Sequence, residues 1–135
     1  MHYPHQIDCV WLAADPTGHL AAMITAGEGP IPERVLAHHV EAMNIEKTLL
    51  DLPIIGEAQL SVQVPDATSF LALSSRGLFV YDWTDIHRTH AEASRAYELV
   101  SSPGTSVGIQ NLPIALREIA CDVGAVFGNA FIVVR

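Results

Sequence analysis

The chain has 135 residues, half of them apolar, and a formal net charge of −8 from 15 acidic residues against 7 Lys and Arg. This length and apolar content predict one globular domain over residues 1–135 and exclude a disordered chain. The acidic balance, with scattered basic residues, excludes nucleic acid as a ligand, because neutralising phosphates requires clustered Lys and Arg.

The termini and the cysteines bear on the compartment. The start, "MHYPHQIDCVW", lacks the basic segment and apolar run of a signal peptide. The apolar stretch 123–134 is too short to span a bilayer. Cys9 and Cys121 are too few for a disulfide framework and are expected to be buried free thiols. We therefore expect a cytoplasmic protein that does not interact with membranes.

A hairpin is the first predicted element. Residues 7–14 and 20–25 have the apolar character of strands, and Asp15-Pro16-Thr17-Gly18 lies between them. Asp suits the first position of a type I turn, Pro presets the second, and Gly accepts a left-handed conformation. Alternation of polarity stops early in the first strand, which predicts a strand that is buried on both faces.

A helix is predicted next, from Pro32 to Asp51. Pro is tolerated in a first helical turn, and Leu36, Val40 and Met43 lie on one helical face. The apolar phase slips near Asn44, so the pattern also allows a kink or two short helices.

The second half of the chain alternates short apolar runs with turn residues. It predicts a strand at 59–64, a second hairpin of 69–73 with 78–83, a strand at 96–101, a helix from Leu112-Pro113 and a strand at 130–134. Together the elements predict an α+β fold, with an antiparallel sheet built from hairpins and two main helices packed on one face.

The stretch "AGEGPIPERV" at 26–35 raises the question of a phosphate loop. It lacks the Lys and Ser/Thr that such a loop needs, and Pro30 and Pro32 remove two N–H donors. Glu28 and Glu33 place negative charge where phosphate would bind. We interpret the stretch as a stiff loop between a strand and a helix, and an exposed rigid loop can also be a recognition surface.

The segment "TDIHRTH" contains the candidate metal ligands. His87 and His90 share a face if the segment is helical, and Asp85 or Glu92 could supply a third ligand. A polar surface loop is the competing interpretation. No nucleophile elbow or cysteine-protease signature is present, so nucleophilic catalysis is not predicted. No cofactor is expected.

The strand "FVYDW" places Phe79, Tyr81 and Trp83 on one face and Asp82 on the other. The rings could all be core. Alternatively, Tyr81 or Trp83 reaches a rim beside Asp82 and Asp85, where aromatic anchors surrounded by carboxylates would suit a basic protein partner.

Two stretches carry a resemblance to a known group. "WLAADPTGHLAAMITAGEGPIP" (11–32) resembles the opening hairpin of small bacterial immunity proteins of polymorphic toxin systems. "VYDWTDIHRTHAEASRAYELVSSPGTSVGIQNLP" (80–113) resembles their later half. The resemblance implies a non-enzymatic protein that binds a cognate toxin and blocks its active site. The acidic charge would suit a basic, nuclease-like toxin.

These observations give one leading expectation and two alternatives. We expect an immunity-type inhibitor, monomeric or homodimeric, that uses Glu28, Tyr81, Asp82, Trp83 and Asp85 to bind its partner and holds no metal. The first alternative is a small metal-dependent hydrolase that uses His87, His90 and nearby carboxylates. The second is an adaptor that pairs through an exposed strand edge.

Overall fold

The structure is a computed structural model that describes residues 8–37, 44–83 and 96–134. The strands are β1 (Val10–Ala14), β2 (Leu20–Ile24), β3 (Ala58–Leu60), β4 (Phe79–Trp83), β5 (Tyr97–Pro103), β6 (Cys121–Asp122) and β7 (Phe131–Ile132). The helices are α1 (Glu33–Leu36), α2 (Ile45–Leu50), α3 (Thr68–Ser74) and α4 (Ile114–Ile119), with a 3-10 turn at Ile109–Asn111. This is an α+β architecture, as the sequence predicts.

The first hairpin is confirmed. β1 and β2 pair antiparallel, from Val10 opposite Ile24 to Ala14 opposite Leu20. In the turn, the Gly18 N–H donates to the Asp15 carbonyl at 3.0 Å. Gly18 has a φ of 88°, a conformation that glycine adopts without steric cost. Local turn chemistry therefore determines this hairpin.

The sheet is mixed, which corrects the prediction of an antiparallel sheet. Its strand order is β3-β5-β4-β2-β1-β6, and β7 also pairs with β5. β2 and β4 run parallel, as do β1 and β6. The prediction is wrong because the long connections between these strands return the chain to the same end of the sheet, which yields parallel neighbours.

The predicted second hairpin is also wrong. Residues 69–73 lie inside helix α3, and only the run that follows forms a strand, β4. The Asp66 carboxylate accepts a hydrogen bond from the Thr68 N–H at 3.0 Å, at the start of the helix. Phe70 and Leu73, three residues apart, both contribute to one cluster of the core. A short apolar run fits a strand and a buried helix equally well by periodicity.

The other elements differ from their predicted bounds. The described part of 32–51 contains two short helices, α1 and α2, and residues 38–43 lie outside it. β3, β5 and β7 confirm strands at the predicted places with shifted or shortened ends, and α4 begins after Pro113 as expected. β6 was not predicted, because a two-residue strand has no pattern of its own.

The described residues form two core clusters of buried side chains. The aliphatic cluster joins strand residues such as Leu12 and Val80 with Leu49 of α2, Leu73 of α3 and Leu116 of α4. The aromatic cluster is Trp11, Ala13, Ala21, Met23, Val35, Tyr81, Trp83, Tyr97, Leu99, Cys121, Phe127, Ile132 and Val134. Alternate residues of β1 belong to different clusters, so that strand is buried on both faces, as predicted.

Within the described ranges, none of the helices has the length and apolar character needed to cross a bilayer. Cys9 and Cys121 are both buried thiols that are not joined in a disulfide, as expected.

Candidate functional site

The loop from Thr25 to Pro32 begins at a buried group of hydrogen bonds to Thr25. Thr25 has no exposed surface, and its Oγ1 accepts hydrogen bonds from the backbone N–H groups of Cys9 at 3.0 Å and Gly27 at 3.2 Å. Its carbonyl accepts from the N–H groups of Glu28 at 3.1 Å and Gly29 at 2.8 Å. These four bonds fix the direction in which the loop leaves β2.

The far side of the same loop rests on the aromatic cluster. The Tyr97 hydroxyl donates to the Pro30 carbonyl at 2.8 Å and accepts from the Trp11 indole N–H at 3.2 Å. A Cβ on Gly29 would lie 2.7 Å from the Tyr97 hydroxyl oxygen and 2.8 Å from the Trp83 Cβ, closer than real Cβ contacts. The loop is therefore held at both ends, and it presents the exposed side chain of Glu28 from a fixed backbone.

Tyr81 and Trp83 belong to the interior, which corrects the prediction that one of them forms a rim anchor. Tyr81 is fully buried and Trp83 is 5% exposed. The Trp83 ring packs edge-on against Tyr97, with ring centroids 5.4 Å apart. β4 lies between β2 and β5, and both of its faces contribute to the core, so Tyr81 and Trp83 are enclosed by neighbouring residues.

The Tyr81 hydroxyl has a structural role. It donates to the Asn129 carbonyl at 2.7 Å and accepts from the Gly128 N–H at 3.1 Å. Burial raises the pKa of Tyr81 to about 12, against the opposing effect of the Gly128 N–H. The phenol therefore stays protonated at physiological pH and anchors the loop between β6 and β7.

Asp82, the remaining predicted residue of this strand, lines a groove of about 400 Å³ at the carboxyl ends of β2 and β4. We call it the acidic groove. Three further carboxyl side chains line it, from Asp8, Glu46 and Asp66, together with Ile24, Ala26, Ser69 and Phe70. Asp8 precedes β1, Glu46 lies in the first turn of α2, and Asp66 precedes α3. Four separate segments thus bring their carboxyl groups to one concave surface.

Local contacts shift the pKa of two of these carboxyl groups in opposite directions. Burial raises the pKa of Asp8, and the Ala26 N–H, 2.9 Å from its Oδ1, partly opposes this effect. Hydrogen bonds from the backbone and side chain of Thr68 lower the pKa of Asp66. Asp66 therefore remains ionised to a lower pH than Asp8 does.

The remaining predicted residues divide between the loop and the undescribed part of the chain. Glu28 lies two residues after Ala26, which lines the acidic groove, so its loop borders that groove. Asp85, His87, His90 and Glu92 lie outside the described residues. In the described ranges, no three His, Cys, Asp or Glu side chains are grouped so that they could hold a metal ion.

Sequence reasoning missed Asp8, Glu46 and Asp66. Each is a single acidic residue beside the start of a strand or helix, which is a common and locally favourable position at helix N-termini. Nothing in the local pattern indicates that residues 8, 46, 66 and 82 line one groove. Only the packing of the helices and loops against the sheet reveals it.

Comparisons of the chain with protein-family models, with curated proteins and with solved structures found no match.

Proposed function

We propose that the protein is an immunity-type inhibitor, which binds and neutralises a cognate bacterial toxin by docking the acidic groove and the Glu28 loop on a basic surface of the toxin. The observation that carries the proposal is the convergence of Asp8, Glu46, Asp66 and Asp82 on one groove beside a rigid loop that carries another carboxylate.

The charge of this surface suits a basic partner. The chain carries a net charge of −8, and clefts lined by charge of one sign concentrate the field and speed the approach of an oppositely charged partner. A toxin that acts on nucleic acid needs a positive active-site surface, and an acidic inhibitor that covers it would exclude the substrate.

The rigidity of the Glu28 loop supports binding without rearrangement. The hydrogen bonds to Thr25 and the Tyr97 hydroxyl hold its backbone in the free protein, so little conformational entropy is lost when a partner docks. The two stretches that resemble immunity proteins include this loop and residues 80–83 of strand β4, which adds support from the sequence.

The first experiment is capture of the product of the gene adjacent to the one that encodes this protein, followed by a growth-rescue assay. We expect tight one-to-one capture and restored growth when the two are expressed together. The absence of both capture and rescue would contradict the proposal.

A matched pair of variants then locates the interface. Glu46→Gln removes one charge from the acidic groove, whereas Glu118→Gln removes the same charge from an exposed position on α4 that does not line it. We expect Glu46→Gln to slow association with the captured toxin roughly threefold at low salt, as loss of one nearby unit charge would. Glu118→Gln should leave the rate unchanged, and equal effects of the two would place the interface elsewhere.

A further inference from the structure

A second concave site lies at the end of β4 opposite the acidic groove, where the chain turns from α3 into that strand. It encloses about 240 Å³. Its apolar walls include Leu52, Ile55 and Val107, and its polar groups are Arg76, Ser106 and Asn111. We call it the Arg76 pocket. Its single charge is positive, in contrast to the acidic groove.

The Arg76 guanidinium is held in place by backbone carbonyls. Nε donates to the carbonyls of Leu50 at 3.0 Å and Leu52 at 2.9 Å, and Nη1 donates to that of Ala72 at 2.7 Å. A guanidinium has five N–H donors, and these bonds use one on Nε and one on Nη1. Donors on Nη1 and Nη2 therefore remain for a ligand.

Among the described residues, no Asp or Glu side chain lies within salt-bridge distance of Arg76. The pocket wall is nevertheless fixed. The Val107 N–H donates to the Gly77 carbonyl at 3.0 Å, and the two backbones approach so closely that a Cβ on Gly77 would lie 2.5 Å from the Val107 nitrogen. The pocket is thus formed before any ligand binds.

We propose that the Arg76 pocket binds a small monocarboxylate with a short apolar tail. The carboxylate pairs with the remaining guanidinium N–H groups, and a planar guanidinium matches carboxylate geometry. Ser106 and Asn111 supply neutral donors, and Leu52, Ile55 and Val107 enclose the tail. At about 30 Å³ for each water-sized group, the volume accommodates about eight non-hydrogen atoms. This inference does not rest on the proposed function, because a different surface carries it.

The test is a titration of the full-length, ¹⁵N-labelled protein with 4-methylpentanoate, which has a carboxylate and a branched apolar tail. We expect saturable shifts of the amide signals of Gly77, Val107 and Asn111, with a Kd of about 1 mM for so small a ligand. The isosteric amide, 4-methylpentanamide, should bind about tenfold more weakly, because it lacks the charge-assisted hydrogen bond.

Two variants test the role of charge. Arg76→Gln should abolish binding, but it also removes bonds to the ends of two helices and can weaken the fold. Asn111→Asp leaves those bonds intact and places a negative charge in the pocket, so we expect it to raise the Kd for 4-methylpentanoate about threefold or more. Gln63→Glu adds the same charge at an exposed position outside the pocket and should leave the Kd unchanged.

Several results would overturn the proposal. Equal affinity for the acid and the amide would show that Arg76 does not recognise the carboxylate. Shifts confined to amide signals of the acidic groove would place the ligand elsewhere. The absence of any shift at a ligand concentration 20-fold above the expected Kd would exclude binding. Binding of a peptide with a C-terminal leucine carboxylate, without binding of the free acid, would assign the pocket to a protein partner instead.

Discussion

The two faces of the sheet are covered by different kinds of side chain. The aliphatic cluster is built from Leu, Ile, Val and Ala, whose packing has no directional polar component. The aromatic cluster contains Trp11, Tyr81, Trp83 and Tyr97, and the polar ends of three of these take part in hydrogen bonds. The two clusters therefore differ in role: both stabilise the sheet, and the aromatic cluster also fixes the loops that border it.

The largest expected effect comes from the aliphatic cluster. Leu12 is 1% exposed and lies on β1 within that cluster. Leu12→Ala should lower the free energy of unfolding by about 2–5 kcal/mol, because it removes buried methyl groups and leaves a cavity. Urea denaturation measures the change. Leu60→Ala, the same substitution at a residue 38% exposed, should cost well under half as much. Equal costs would show that the aliphatic cluster is loosely packed around Leu12.

A smaller effect is expected where a loop meets the aromatic cluster. Gly29→Ala would drive a Cβ into the Tyr97 ring and the Trp83 Cβ, and should cost about 1–3 kcal/mol in unfolding free energy. Near-ultraviolet circular dichroism should change as the two rings shift. Gly124→Ala is the matched control, since a Cβ there meets no atom within 4 Å. If both variants unfold at the same urea concentration, the loop does not rest closely on the rings.

The smallest effect concerns Asp15, which connects the first turn to the aromatic cluster through the Phe127 N–H at 3.0 Å. Burial raises the pKa of this carboxyl, but hydrogen bonds from Thr17, Phe127 and His19 outweigh burial and lower the pKa below 3.8. A lowered pKa in the folded state stabilises the protein above the unfolded-state pKa, and this contribution is lost as the pH falls through the folded value.

Asp15→Asn should therefore flatten the loss of stability with acid below about pH 4. At neutral pH it should cost about 1 kcal/mol, because an amide nitrogen cannot accept the Phe127 N–H. Urea denaturation at a series of pH values measures both. If the free energy of unfolding of Asp15→Asn falls with acid as steeply as that of the unmodified protein, the acid sensitivity belongs to other carboxyl groups.

The parts of the fold that depend on neighbouring residues could be predicted from the sequence. The β1–β2 hairpin follows from Asp15, Pro16 and Gly18 alone. The sequence predicts a strand where helix α3 lies, because the short apolar run fits both periods and only burial against the sheet decides between them. The parallel pairings were missed because they depend on connections of many residues.

Only some residues of the candidate site could be predicted from the sequence. The sequence indicates Glu28 as part of a stiff loop and Asp82 as a polar residue among aromatic ones, and both border the acidic groove. It does not reveal that β4 is an inner strand, so it leaves open whether Tyr81 or Trp83 reaches a rim, whereas the structure places both in the core. It also does not reveal that Asp8, Glu46 and Asp66 line the same groove, since their positions depend on how distant segments pack together.

The pairing of β6 with β1 has a consequence for how the protein folds. Ala13 pairs with Cys121, and Asp15 accepts a hydrogen bond from Phe127 across 112 positions of sequence. Such distant contacts require closure of a long loop before they contribute any stability, which slows folding. During synthesis, the first hairpin can form early, but this edge of the sheet must wait until residues beyond 120 have left the ribosome. Until then β1 has an unpaired edge, and the nascent chain is at its most vulnerable to association with other chains.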